Sequence, residues 1–485
     1  MSRQPAGPPN VSRPSPGAPP GTSPTASKGL LLLGLSLGYF MVMLDTTVVT
    51  VALPAIGEDL SGSLAGLQWV SNGYTLTFAA LLLTAGALSD RYGGRKVFLT
   101  GLWLFAVFSG LSAVATSMGA LIALRALLGV AGALLLPTSL AIIAHAYTDP
   151  AARARAMGGW AAISGAALAA GPLAGGVLTD TLGWRSIFLL NIPVGIAGIV
   201  ITMKCAPVSA PKPAKGLDLS GQTSAVLALA GLTYALVESR PRGWGAPEVL
   251  GGLAVFAVSG VVFVLAERRE ETAAHAPMLP LEMFRNRTLS AGLFAGLLVN
   301  FGLSGVLFVL SLHFQEALDH SAFTAGLAFL PLTLPTAFNP IFTGRLVARI
   351  GARTPAIAGF LMMGVGVLIQ SAATADSAVS LVAMCVGLLV LGFGVSFCIP
   401  PLMTAIVGSV AKEQAGIASG ALNSARQTGA VLGVAVLGAL MGGASSAGDG
   451  TRVALVAAGL VLLAGAGVVA AYIGRAPRDS APSRS

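Results

Sequence analysis

Asp45 and Arg125 each stand inside a long apolar run of this sequence, where an ionised side chain costs at least about 2.5 kcal/mol in hydrocarbon. Asp45 lies in Met41-Val-Met-Leu-Asp45-Thr46-Thr47 and Arg125 in Leu124-Arg125-Ala-Leu-Leu-Gly129. If both runs are helices, Asp45 sits about 13 Å from the end of its run near Pro54 and Arg125 about 10 Å from the start of its own. Oppositely running helices thus bring the two to one depth. An arginine holds a neighbouring carboxylate ionised and burial opposes it, so water admitted to the pair lets the carboxylate load and release a proton. The other reading is a static ion pair that only fixes helix packing.

Three further groups of residues invite chemistry. Gly86-Ala-Leu-Ser-Asp90-Arg91-Tyr-Gly93-Gly-Arg95-Lys96 closes the second apolar run. Asp90 there can pair with nearby arginines or cap the next helix, a reversible contact suited to a gate; alternatively Arg91, Arg95 and Lys96 only set topology. Gly165, Gly171, Pro172, Gly175 and Gly176 let a fifth run approach its neighbours closely and bend, either as a seal or as ordinary small-residue packing. Arg426, about 18 Å into the thirteenth run, serves a substrate or gating role or packs with Gln427 or Asn423. With Met41, Asn72, Asn300 and Phe301 it forms the candidate lining of a substrate cavity. Phe294, Phe301 and Phe308 recur every seventh residue; such a stripe more commonly packs or faces lipid than stacks a substrate. His313, Glu316, Asp319 and His320 read as a solvated helix end rather than a metal site.

Elements able to position these residues must span a membrane. Of 485 residues, 55% are hydrophobic and only 10% charged, against about 25% charged in a soluble domain. Apolar runs of about 20 residues, each long enough to cross some 30 Å of hydrocarbon, fall near 30 to 53, 68 to 89, 97 to 116, 118 to 143, 155 to 178 and 186 to 203. Two more lie near 219 to 238 and 247 to 266, and six more near 289 to 314, 322 to 346, 354 to 373, 378 to 403, 415 to 441 and 452 to 473. The predicted fold is an all-α integral membrane protein of two six-helix bundles, 29–203 and 289–473, with a two-helix insert at 219–266. Residues 204–218 and 267–288 are cytoplasmic linkers. The proline-rich stretch 1–28 and residues 474–485 are tails. With the N-terminus inside, about 22 of the 28 Lys and Arg residues lie on the cytoplasmic side and about four outside, as the positive-inside rule requires. Gly344-Arg345-Leu-Val-Ala-Arg349 echoes Gly86 to Arg91 at the equivalent place of the second bundle, so the bundles read as repeats with a cavity between them at the midplane.

Leu44-Asp45-Thr-Thr-Val-Val-Thr-Val-Ala-Leu-Pro54 resembles the first-span signature of the fourteen-helix drug:proton antiporters of the major facilitator superfamily. The segment from Gly86 to Lys96 resembles that superfamily's loop motif between spans two and three, and Leu124 to Gly129 its fourth-span motif. Gly165 with Gly171-Pro172-Leu-Ala-Gly175-Gly176 resembles the antiporter motif of span five. Trp184-Arg185-Ser-Ile-Phe188-Leu-Leu-Asn191-Ile-Pro193-Val-Gly195 and Asn423-Ser-Ala-Arg426-Gln427-Thr-Gly429 are similar to segments of the fourteen-helix branch. The resemblance covers residues 30 to 473 and extends to antibiotic-resistance exporters of the methylenomycin type. It implies a major facilitator fold, proton coupling through Asp45 and Arg125, and export of small drug-like molecules. Thr50 departs from the usual Asn and Leu128 from the usual Gln, and the thirteenth span lacks the acidic residue of some exporters of multivalent cations, which argues against divalent cationic drugs.

Other classes of function are disfavoured. The net charge of +9 is dispersed through short loops rather than gathered on one segment, unlike a nucleic-acid binder. No G-x-x-x-x-G-K-[ST] or H-E-x-x-H occurs, so neither an ATP-driven pump nor a zinc-dependent membrane enzyme is expected. The protein is expected to be no enzyme, to need no cofactor or metal, and to run on the proton gradient from the plasma membrane, with a monomer sufficient. Carriage of an endogenous metabolite, lipid or siderophore on the same scaffold stays open.

Overall fold

The computed structural model describes residues 24–207, 218–268, 279–373, 377–411, 414–443 and 446–474, and their regular structure is entirely helical. Residues 1–23 and 475–485 of the expected tails, and 208–217 and 269–278 of the expected linkers, lie outside the described residues. The first half comprises α1 (Pro24–Asp59), α2 (Leu64–Tyr92), α3 (Gly94–Ala113), α4 (Met118–Ala146), α5 (Pro150–Leu182), α6 (Ser186–Leu189) and α7 (Asn191–Cys205). A hairpin of α8 (Leu219–Arg242) and α9 (Pro247–Glu267) follows. The second half comprises α10 (Arg287–Leu312), α11 (Ala322–Ala328), α12 (Leu330–Phe338), α13 (Pro340–Ile350), α14 (Arg353–Ser371), α15 (Ala378–Gly408), α16 (Ala415–Met441) and α17 (Ala447–Tyr472). The face at which α1 begins is called the near face below, and that at which it ends the far face.

Local chemistry sets the helix limits. Ser63, Ser117 and Asp149 accept backbone N–H groups of Gly66, Ala120 and Ala152 at the starts of α2, α4 and α5, and Pro150 occupies a first-turn position where no donor is lost. Gly93 alone joins α2 to α3 at φ 90°, a conformation that excludes most side chains.

Two expected spans differ from the sequence reading. The sixth breaks at Leu190, between α6 and α7. The span expected over 322–346 is a train of three short helices, α11 to α13, interrupted at Phe329 and Asn339. Pro331 and Pro340 follow the two breaks and supply no backbone donor, so the helical ladder cannot run through.

Twelve helices among the described residues are long and apolar enough to cross a membrane. The chain is a multi-pass membrane protein. Outside that set stand the interrupted train and the 29-residue α2, which carries Gln68, Ser71, Asn72, Thr75, Thr77 and Thr84.

The halves repeat one packing scheme. In the first, α1 packs on α5 and α7, and α4 on α2 and α3; in the second, α10 packs on α16 and α17, and α15 on α12 and α14. The halves meet where α2 lies on α16, α5 on α11 and α12, and α1 on α10. Glycines make these approaches possible. A Cβ on Gly175 would fall 2.8 Å from the Val48 carbonyl of α1, and one on Gly433 2.9 Å from Phe301 Cα of α10. Such distances leave no room for a side chain. In the α8–α9 hairpin, α8 packs on both α2 and α16, so it touches both halves, and α9 rests on α8.

Candidate functional site

Five helices of the first half build a closed polar cluster in an apolar core. Asp45 on α1 and Arg125 on α4 form a direct ion pair, and the two side chains are 1–2% exposed. Arg125 Nε also donates to the Val70 carbonyl of α2 at 3.1 Å, and its guanidinium lies 4.6 Å from the centre of the Tyr74 ring. Asn191 Nδ2 donates to the second carboxylate oxygen of Asp45 at 3.3 Å and to Ser109 Oγ of α3 at 3.1 Å. The break between α6 and α7 places Asn191 there, because it ends one helix just before Pro193 and starts the next. A buried charge is tolerable only when paired and hydrogen-bonded in this way.

The seam between the halves is closed toward the far face. Asp180 at the end of α5 accepts the backbone N–H of Ala322 at 3.2 Å and of Phe323 at 2.9 Å, across the seam at the start of α11. Gly176 packs against the same two residues, and Gly326 against Pro172 and Leu173. Gln68 of α2 donates to the carbonyls of Val434 and Ala435 on α16, while Ser311 and Gln315 donate to those of Thr50 and Val51 on α1. A cavity of about 710 Å³ opens just outside this closure, with Glu58, Asp180, Glu316 and His320 in its wall.

No such bonds join the halves at the near face among the described residues. The closest is that of Ser424 to the Ala79 carbonyl, midway along α16 and α2. On α1, the half-buried residues Tyr39, Met43, Thr46 and Thr50 form a stripe at helical spacing. Tyr39 stacks on Trp160 of α5, ring centres 4.5 Å apart and planes 6° from parallel. From the other half Arg426 enters the seam, its Nε donating to Asn300 Oδ1 at 3.3 Å and one terminal nitrogen to Asn423 Oδ1 at 3.5 Å. The arrangement faces the near side.

The predicted residues are placed as follows. Asp45 meets Arg125, and Arg426 meets Asn300. Met41 lies against Gly195 of α7, away from the seam, and the Phe301 backbone against Gly433. Asn72 is fully buried one turn beyond Gln68, with both amide atoms unpartnered. Asp90, Arg91 and Lys96 are exposed on the near face; Asp90 makes no ion pair among the described residues. Arg95 donates to the Met203 carbonyl at 2.6 Å, and Gly86 has open space around it. Gly165 stands 3.6 Å, measured from an added Cβ, from Ala337 of α12, while Gly171 and Gly175 meet Thr47 and Val48 of α1.

One sequence expectation is corrected. His313 is buried, with Nδ1 3.3 Å from Thr451, on a wide turn over 313–317 that follows α10. The seventh-residue phenylalanines agree with packing or lipid contact: Phe294 is exposed, and Phe301 and Phe308 are buried. Sequence reasoning missed Tyr39, Trp160, Gln68, Asp180 and Gln315 as seam residues, and the role of Asn191. Only Asn191, inside the quoted Trp184 to Gly195 motif, offered a signal.

Comparison with known proteins adds relationship to this geometry. A family model described as Major Facilitator Superfamily matches residues 35–434 and 292–485. A methylenomycin A resistance protein of Streptomyces coelicolor is 34% identical over 464 residues, covering 96% of each chain. The corresponding protein of Bacillus subtilis is 35% identical, covering 86% of this chain and 88% of its own. A tetracenomycin C resistance and export protein of Streptomyces glaucescens is 36% identical, covering 89% of this chain and 80% of its own. Among solved structures, a crystal structure of the human organic anion transporter MFSD10 superposes with TM-score 0.61 at 18% identity, covering 93% of this chain and all of that one. That likeness speaks for the fold alone.

Proposed function

The chain belongs to the Major Facilitator Superfamily, and from that premise we propose that it is a proton-coupled exporter of small organic molecules, antibiotics or other drugs, working as an antiporter by alternating access. Relatives that confer resistance to methylenomycin A, or resistance to and export of tetracenomycin C, support the substrate class. The observation that carries the proton coupling is the Asp45–Arg125 pair, buried and completed by Asn191. A carboxylate held by a cation in an apolar core changes its protonation when water reaches it. In one state it would take a proton from outside, and in the other release it inside.

The gating halves of this cycle fall to separate residues. Asp180, Gln315 and Gln68 hold the far face shut in the present state. Asp90, unpaired while the near face is open, closes that side in the opposite state by pairing or helix capping. We read the chain as fourteen crossings, with α2 and the α11–α13 train added to the twelve apolar helices. Both termini would then be cytoplasmic, the near face inside and the far face outside. One chain suffices and no bound cofactor takes part: the membrane potential contributes about 2.3 kcal/mol per charge per 100 mV.

The test is solute-triggered proton movement in energised inside-out vesicles, over a panel of antibiotics and dyes, for the native protein and equally expressed Asp45→Asn. Compounds that release protons only with the native protein uphold the reading. Equal release by Asp45→Asn removes that carboxylate from coupling, and silence across the panel counts against drug antiport.

A further inference from the structure

The charged groups deep between the helices do not balance. Asp45 and Arg125 neutralise each other. Arg426 has no carboxylate partner among the described residues; its acceptors are the neutral amides of Asn300 and Asn423. Two such acceptors leave most of its donors uncommitted. The side chain is only partly buried, so those donors open onto the seam. An unpaired cation at this depth is costly unless water or an anion completes it.

A flat aromatic surface accompanies the cation. Tyr39 and Trp160 are stacked nearly parallel, both half-buried, and Trp160 Nε1 has no hydrogen-bond partner. Tyr39 and Arg426 are both partly buried, on α1 and α16, helices that border the seam from opposite halves. Thus α1 and α5 of one half offer the seam an aromatic face, and α16 of the other a planar fork of donors.

Resting on the export reading, we propose that the exported molecule is a planar organic anion, bound through Arg426 and stacked along Tyr39 and Trp160. The guanidinium fork matches a carboxylate, enolate or sulfonate in two-point geometry, and aromatic rings extend an existing stack at offset-parallel spacing. A planar cation would gain the stacking but face Arg426 without a compensating carboxylate.

Two xanthene dyes of opposite charge isolate the sign. Binding of fluorescein and of rhodamine 6G to the purified full-length protein in lipid nanodiscs is followed by fluorescence anisotropy. The expected result is at least tenfold tighter binding of fluorescein, a preference lost in Arg426→Gln and partly kept in Arg426→Lys, with Trp160→Leu weakening fluorescein while preserving the preference. Tighter binding of rhodamine 6G, no binding of fluorescein, or unchanged fluorescein affinity in a folded Arg426→Gln protein would overturn the proposal. The native-protein comparison needs no variant to fold. Proton movement in vesicles separates this from the export reading. Rhodamine-driven movement with no response to fluorescein leaves export standing and removes the anion; Arg426-dependent fluorescein binding without proton movement keeps the anion site and removes the coupling.

Discussion

Asp45 and Arg125 stabilise the first half only as a pair. Removing one leaves a buried, uncompensated charge, a change that costs about 3–5 kcal/mol. Arg125→Gln is therefore expected to lower thermal stability in detergent sharply, and Asp45→Asn/Arg125→Gln to recover much of that loss because both charges are gone. The recovered double variant should still fail to couple proton movement to solute. Full coupling in it would mean that the pair only fixes packing. Asn191 supports the carboxylate from the α6–α7 break. Asn191→Leu is predicted to leave membrane insertion intact and shift the pH dependence of transport, measured as initial rates across external pH.

Along the helices, α5 closely approaches α1 on one side and α11 on the other. Gly171 and Gly175 meet α1, while Gly176 meets α11, where an added Cβ would lie 2.5 Å from the Ala322 carbonyl. Gly176→Leu must force α5 and α11 apart at the far face. Asp180→Ala removes the two hydrogen bonds that close the same junction. In a background with Cys205, Cys385 and Cys398 replaced by Ser, a cysteine at Thr50 should be labelled by an impermeant maleimide from outside about tenfold faster in either variant. Unchanged labelling would mean that the far-face closure rests on the α2–α16 contact through Gln68 instead.

At the scale of the whole molecule, the repeated packing scheme makes each half a body and concentrates the contacts between halves on α2–α16, α5–α11, α5–α12 and α1–α10. In the proposed antiport cycle, rocking of one body on the other would exchange the closed far face for a closed near face. The α8–α9 hairpin lies across this seam through α2 and α16, held by Gln222 to the Ala80 carbonyl at 2.8 Å and by Arg240 to the Ala439 carbonyl at 3.2 Å. Topology mapping checks the crossing number: reporters at residues 210 and 273 and at both termini are all expected inside, as fourteen crossings require. A reporter at 210 or 273 found outside would overturn that count.

Membrane residence, the all-helical fold and the meeting of Asp45 with Arg125 were legible in the sequence, because hydrocarbon thickness and the cost of buried charge act on local runs of residues. The α11–α13 breaks were less legible, since prolines permit several outcomes in a helix and only packing selects among them. The contacts that close the seam were decided by the tertiary structure. Tyr39, Trp160, Gln68, Asp180 and Gln315 have ordinary sequence surroundings, and their importance comes from partners hundreds of residues away, such as Val434 for Gln68 and Val51 for Gln315. Hydropathy reports which residues avoid water; which helix faces meet across the interface is decided by side-chain shape and by where glycine lets backbones touch.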